Sequence, residues 1–456
     1  MFDLFTSLIF AVVVGGVLWA VWRGRDTLHP LVFLMPTAGY MYVIQPITAD
    51  PEVLRSYFTM AELSFVQGLN LAGVAALALG CIWGSRGIRR SEHRVDLHSY
   101  LSTSEWRGKL RVMGGILGCV GLFLYAYGLF NVGGFLDAYN TVKGGGRASS
   151  GYLRDFTLLV IPAIVLLLLG RHRQPPIAYW VGVGVLNTPL LVHGLLSARR
   201  GPTFMGVATL IVSWYLSRNQ RPSIVSVLLG GAGVGLLLLV LVTFRGQIYL
   251  GSSFLSLDQG PGPSEVVSRT LQAQAQTTSG SEFVYGSYAA LQAREEGDHY
   301  WGARYLTYAF IRPIPRFLWP TKYRDVGMES LFVNAGTLGR SADPEATYLQ
   351  VPEGAAPGFV GDMYVEFAWG GVVVIFFLGA GFGLLWRRAL ARGGIWRTVY
   401  ICALVLSLYF VAQTFEAVLV RFLVITVPTA MLWHSYANRY APWARASTST
   451  ADVRAV

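Results

Sequence analysis

The chain has 456 residues, 53% hydrophobic and 13% charged, with a net charge of +11. An ordinary soluble domain carries about a quarter charged residues, so this composition excludes a soluble enzyme, and the excess arginine points to membrane surfaces rather than to nucleic acid. The apolar residues fall in continuous blocks without the alternation of a β-barrel, which predicts an all-α, polytopic membrane protein.

A membrane helix needs roughly 17–25 apolar residues, and eleven spans are expected. In chain order they lie near 5–22, 30–46, 64–84, 112–130, 156–170, 177–196, 203–217, 224–244, 364–386, 398–413 and 416–433. Residues 1–244 then hold the first eight, 245–363 form one long structured loop, 364–434 hold the last three, and 435–456 form a tail. Within the loop, "SEFVYGSYAALQARE" and "WGARYLTYAFIRP" read as short amphipathic helices, the second ended by Pro313. The last two spans are parted only by "QTFE", Gln413 to Glu416, which asks for a tight hairpin. Cys81, Cys119 and Cys402 fall inside apolar blocks and match no metal or disulfide pattern.

Arginine in the short connections sets the orientation. Every odd-numbered span exits into a basic connection, including "RGRDTLH", "RHRQPP", "RNQRPS" and "RRALARGGIWR". These belong in the cytoplasm, so the amino terminus lies outside and the carboxyl terminus inside. The connection "LLSARRGPTF" breaks the rule, because it carries Arg199 and Arg200 on the outside.

Polar groups at that outer level form the candidate site, since charge at membrane depth is expensive. His193, Ser197 and Arg200 are spaced i, i+4, i+7 on one helical face, which Gly201-Pro202 would end. Arg245 closes the eighth span at the same level, Asp362 and Glu366 open the ninth, and Glu416 tops the last hairpin. Arg421 lies five residues beyond Glu416, roughly 140° around a helix, and faces elsewhere. No P-loop and no cluster of metal-ligand spacing accompanies them, so neither cofactor nor metal is expected.

This inventory suits a substrate that is already activated and already in the membrane, such as a lipid-linked pyrophosphate sugar. Pyrophosphate leaves readily, provided its charge is held, and arginine holds phosphate oxygens with a permanent, forked charge. Arg199, Arg200, Arg245 and Arg421 are the candidates for that role. A carboxylate or histidine would take the proton from the attacking sugar hydroxyl. Glu366 ranks first because it lies slightly inside its span, with Glu416 and His193 next and Asp362 also available.

Three stretches then resemble a family. "RYLTYAFIRPIPRFLWPTKY", Arg304 to Tyr323, looks like the outside-loop signature of Wzy-like oligosaccharide repeat-unit polymerases, with "PRFLWPTK" as its core. "GFVGDMYVEFAWGG" resembles that family's entry into a late span, and "SARRGP" its arginine-bearing short outer loop. Arg269 to Gly280 and Arg316 to Gly327 fit an Arg-x10-Gly spacing described for some relatives, although here both lie in one loop. The resemblance implies a GT-C-like, metal-independent membrane glycosyltransferase of the bacterial cytoplasmic membrane. It would transfer a growing glycan from undecaprenyl pyrophosphate onto a new lipid-linked repeat unit on the outer face. It adds Arg312, Arg316 and Lys322 to the substrate-binding candidates, and a flippase and a chain-length regulator to the partners. An O-antigen ligase-like enzyme would use the same donor with a different acceptor. A transporter would show internal repeats and midplane charges, which this sequence lacks, and a non-enzymatic scaffold would use the long loop as its binding surface.

Overall fold

The structure, a computed structural model, describes residues 1–24, 26–49, 51–86, 104–141, 155–171, 174–218, 220–250, 252, 262, 264–269, 282–312, 314, 318–327 and 356–437. Among these, every regular element is helical. They are numbered α1 (Phe2–Trp22), α2 (Leu31–Thr48), α3 (Pro51–Tyr57), α4 (Met60–Ser85), α5 (Ser104–Phe130), α6 (Phe135–Tyr139), α7 (Thr157–Leu169), α8 (Ile177–Leu196), α9 (Arg200–Ser217), α10 (Ile224–Thr243), α11 (Glu282–Glu296), α12 (303–311), α13 (Lys322–Asp325), α14 (Gly358–Phe367), α15 (Gly370–Ala391), α16 (Ile395–Val405), α17 (Ser407–Ala412) and α18 (Phe415–Tyr436).

Eight of these helices, α1, α2, α4, α5, α8, α10, α15 and α18, are long and apolar enough to cross a membrane. The other three expected spans fall on different kinds of element. α7 is short and its residues Val160–Leu166 are all buried, so it packs inside the bundle, where its length need not match the bilayer. α9 has enough residues but is too polar to count with the eight. The tenth is split between α16 and α17. The ninth begins later than expected, because Ala368 adopts a left-handed φ of 49° and separates α14 from α15.

Local chemistry explains individual elements. Thr59 and Glu62 form a reciprocal capping box at the start of α4. In α2, Pro46 lacks the N–H that would bond the Tyr42 carbonyl one turn back, and a π turn spans Tyr40–Ile44. The buried Gln67 amide of α4 donates to that carbonyl instead, at 3.2 Å.

The tightest helix pair is α4 on α15. Gly80 and Gly84 face the Phe376 and Ala380 carbonyls, and Gly379 and Gly383 face those of Leu77 and Cys81, so a Cβ at any of the four would overlap backbone. Two small-xxx-small motifs thus let the helices approach closely. Replacing Gly383 with leucine is expected to cost about 1–3 kcal/mol or more through overpacking. Gly381 in the same helix meets open space, so Gly381→Leu should leave the thermal midpoint in detergent unchanged while Gly383→Leu lowers it.

Polar contacts gather at the two ends of the bundle. At one end Asp26 accepts from Arg221 (2.7 Å), the Trp386 indole (2.9 Å) and the Leu28 amide (2.9 Å), and Tyr400 donates to the Leu28 carbonyl. This clasp ties the α1–α2 connection to the α9–α10 connection, α15 and α16. The opposite end carries the described parts of the 245–363 segment and the candidate site, and is called the loop end below.

Candidate functional site

The chain at 299–302 is laid along the end of α14. His299 Nδ1 lies 3.3 Å from the Val365 carbonyl, the Trp301 amide donates to the Glu366 carbonyl (2.7 Å) and the Gly302 amide donates to Glu366 Oε2 (2.8 Å). Trp301 and Gly302 both have positive φ, 51° and 88°. For the non-glycine Trp301 this is a strained position, held by its surroundings. That double turn sends Arg304, the second residue of α12, into the protein.

Arg304 is 1% exposed and meets carboxylates from two other places in the chain. Its Nε donates to Glu366 Oε1 at 2.6 Å, and one terminal nitrogen donates to Asp362 Oδ1. The same nitrogen is 3.9 Å from Glu416 Oε2, close enough for charge attraction but too far for a hydrogen bond. Asp362 Oδ2 in turn accepts from the Tyr305 hydroxyl (2.7 Å) and from the amide of Phe415, the first residue of α18 (2.8 Å). The helix N-terminus favours a negative group there. One arginine from the loop therefore binds α14 to the tip of the last hairpin.

The three carboxylates are not equivalent. Both oxygens of Asp362 and both of Glu366 accept hydrogen bonds from protein donors. Glu416 is 5% exposed, and its Oε2 is buried with no hydrogen-bond partner. Tyr308, on α12, is near enough to feel the Glu416 charge, and burial followed by that carboxylate pushes its phenol up from the ordinary value. Tyr308 thus stays a hydroxyl.

The candidate arginines have partners other than these carboxylates. α8 ends at Leu196, and Ala198 takes a left-handed φ of 48°. Arg200 therefore opens a new helix instead of extending the His193 face, which corrects the expected i, i+4, i+7 row. Pro202 sits in the first turn of α9, where its missing N–H costs nothing. His193 keeps Ser197 at 3.5 Å and stacks edge-on toward Tyr139, and Arg199 is near enough to act on the Tyr139 phenol.

Arg200 pairs with the buried Glu282 of α11, which also accepts from Gln45 of α2 (2.7 Å). Tyr40, Tyr409 and Arg245 all act electrostatically on the Arg200 guanidinium. Gly201 rests against the Tyr409 ring, where a Cβ would overlap it. The Arg421 guanidinium covers that ring at 4.7 Å, with Asp155 at 3.8 Å. Arg200 and Arg421, from distant parts of the sequence, thus both act on Tyr409, and Arg245 is near enough to act on the Arg200 charge. As expected from their spacing, Arg421 and Glu416 face different neighbours.

Of the remaining loop candidates, Lys322 is placed differently from the expectation. Lys322 is buried and donates to the carbonyls of Ile311 (3.1 Å), Arg312 (2.9 Å) and Ile314. An ammonium has three donors, so Lys322 closes the end of α12 and has none left for phosphate. Arg312 lies over the Tyr308 ring at 4.8 Å. Tyr305 is buried and donates to Asp362. Trp319 donates to Asp325 at 2.8 Å, as does the Thr321 hydroxyl at 2.7 Å, and the two pull the Asp325 carboxyl below the usual range. Arg316, Gly280 and Pro313 lie outside the described residues. Replacing Lys322 with methionine is expected to speed proteolysis around residues 312–322 while donor binding persists, and limited digestion with and without donor checks it.

Arg304, Glu282 and Tyr409 are the central residues that reading the sequence did not single out. Among the described residues, no group of three or more His, Cys, Asp and Glu is arranged to hold a metal ion. No family model, curated protein or solved structure matches this chain.

Proposed function

We propose that this protein is a membrane glycosyltransferase that polymerises lipid-linked oligosaccharide repeat units, working at the loop end of its bundle on the outer face of a bacterial cytoplasmic membrane. The observation that carries the reading is the approach of Arg200 and Arg421 to Tyr409, with Arg245 acting on Arg200, beside a hairpin that also carries a buried carboxylate. The pair with Glu282 engages one nitrogen of Arg200 and fixes its direction; a guanidinium has five N–H donors, so it still offers donors to a phosphate. Arg199 and His193 border the same turn. The arginines hold the pyrophosphate as its bond to the sugar breaks, which is the largest electrostatic demand of the reaction. The carboxylates and His193 are the choices for proton acceptor. The three stretches that resemble Wzy-like polymerases favour chain extension over transfer to a different acceptor.

The test uses the purified full chain in nanodiscs with lipid-linked repeat units as the sole substrate, taken from cells lacking this gene. A ladder of glycan lengths, also formed with chelator present, supports a metal-independent polymerase. Turnover only after a lipid A-core acceptor is added supports a ligase instead. No turnover with either acceptor leaves the transporter or scaffold readings.

A further inference from the structure

We propose that Glu416 is the residue that takes the proton from the acceptor hydroxyl, and that Arg304 is the positioning residue that holds it in place. This rests on the glycosyl-transfer reading above and names which candidate does the proton transfer.

The hydrogen-bond pattern separates the candidates. A general base needs an acceptor lone pair that the protein has not already taken. Glu366, the first choice from sequence, gives one oxygen to Arg304 and the other to the Gly302 amide. Asp362 gives one to Arg304 and the other to Tyr305 and Phe415. His193, in the last turn of α8, has the Ser197 hydroxyl at 3.5 Å and sits by Tyr139 of α6. Glu416 Oε2 is buried and accepts no hydrogen bond. A buried orphan of this kind costs about 1–3 kcal/mol or more for a charged group, and native proteins retain such groups where function uses them.

Arg304 fixes Glu416 in two ways. It attracts the carboxylate across 3.9 Å without a hydrogen bond, and through Asp362 it anchors Phe415, the residue before Glu416. The charged and titratable groups facing Glu416 are Arg304, Asp362, Tyr305 and Tyr308. Because Arg304 comes from the long loop, the site is complete only with that segment seated.

In the proposed step the acceptor oxygen forms a bond to the anomeric carbon of the donor sugar while its proton passes to Glu416 Oε2. The carbon–oxygen bond to pyrophosphate breaks, and its electron pair leaves with the lipid diphosphate. The proton on Glu416 is then returned to water.

The experiment uses the full chain in nanodiscs with the same lipid-linked repeat units. Glu416→Gln is expected to lower kcat for chain extension by roughly 10²–10⁴-fold and to leave the donor KM within about threefold, as expected for a group whose contribution arises only in the transition state. Glu416→Ala should regain at least about tenfold on addition of formate, which a purely structural residue would not show. Arg304→Lys should lower kcat rather than raise donor KM, and should add little to Glu416→Gln, because it acts through that residue. A Glu416→Gln protein that elongates at the normal rate overturns the assignment, as does a folded Glu416→Ala protein that formate does not restore. If Glu416→Gln does not survive solubilisation, Glu416→Asp decides: reduced kcat at unchanged donor KM supports the role, and unchanged kcat overturns it. A wild-type protein that extends nothing defeats the glycosyl-transfer reading instead; extension by both wild type and Glu416→Gln defeats only this one.

Discussion

Replacing Arg304 with methionine is expected to leave no stable, monodisperse protein. The substitution keeps the bulk but removes the one cation shared by three carboxylates, of which Asp362 and Glu366 are fully buried. Breaking a buried ion pair by removing one partner costs roughly 3–5 kcal/mol, and here two hydrogen-bonded partners lose their donor at once. Such a loss approaches the whole stability of many proteins, about 5–15 kcal/mol. Arg304→Lys keeps the charge but not the fork that reaches both carboxylates, so it should fold with a lowered thermal midpoint. Size-exclusion chromatography and thermal unfolding of the solubilised variants check both outcomes. An Arg304→Met protein as stable as wild type would mean that the carboxylates find another counter-charge.

The second large effect concerns turnover. Arg200→Lys and Arg421→Lys keep the charges that face Glu282 and Asp155, so both variants should fold. They lose the planar fork that binds a phosphate with two parallel bonds. Removing one preorganised donor from a transition-state site costs roughly 10²–10³-fold in rate, and each variant is expected to fall in that range. The initial rate of chain extension at saturating donor measures it. Wild-type rates in the doubly substituted protein would exclude these arginines from the pyrophosphate site.

The helical plan could be read from hydropathy because long apolar blocks have few alternatives in a membrane. What hydropathy could not supply is which blocks are spans and which are buried pieces. α7 is the most apolar in appearance and the most enclosed, and burial inside protein and burial in lipid select the same side chains. The breaks at Ala198 and Ala368 were equally hidden, since left-handed positions are normally signalled by glycine or asparagine. The close approach of α4 and α15 has a sequence signal in the paired motifs Gly80-x-x-x-Gly84 and Gly379-x-x-x-Gly383, which hydropathy alone passes over.

At the site, the arginine pair of the α8–α9 turn stood out because it violated the orientation rule. Arg304 did not, lying in a loop where a positive charge appears ordinary. Charge balance was the available signal. Asp362, Glu366 and Glu416 all sit near membrane depth and require a partner, and giving the nearby arginines to phosphate leaves them without one. The ranking of Glu366 above Glu416 had a similar cause, because position along a helix says how deep a carboxylate lies and nothing about which donors reach it.

The central claim is that each new glycosidic bond releases one lipid diphosphate. Lipid-linked repeat units labelled in both the sugar and the diphosphate, incubated with the purified full chain in nanodiscs, test it most directly. Free polyprenyl diphosphate should appear in a one-to-one ratio with bonds formed in the lengthening glycan. Diphosphate released without glycan growth would identify a hydrolase, and labelled units that stay intact would contradict glycosyl transfer altogether.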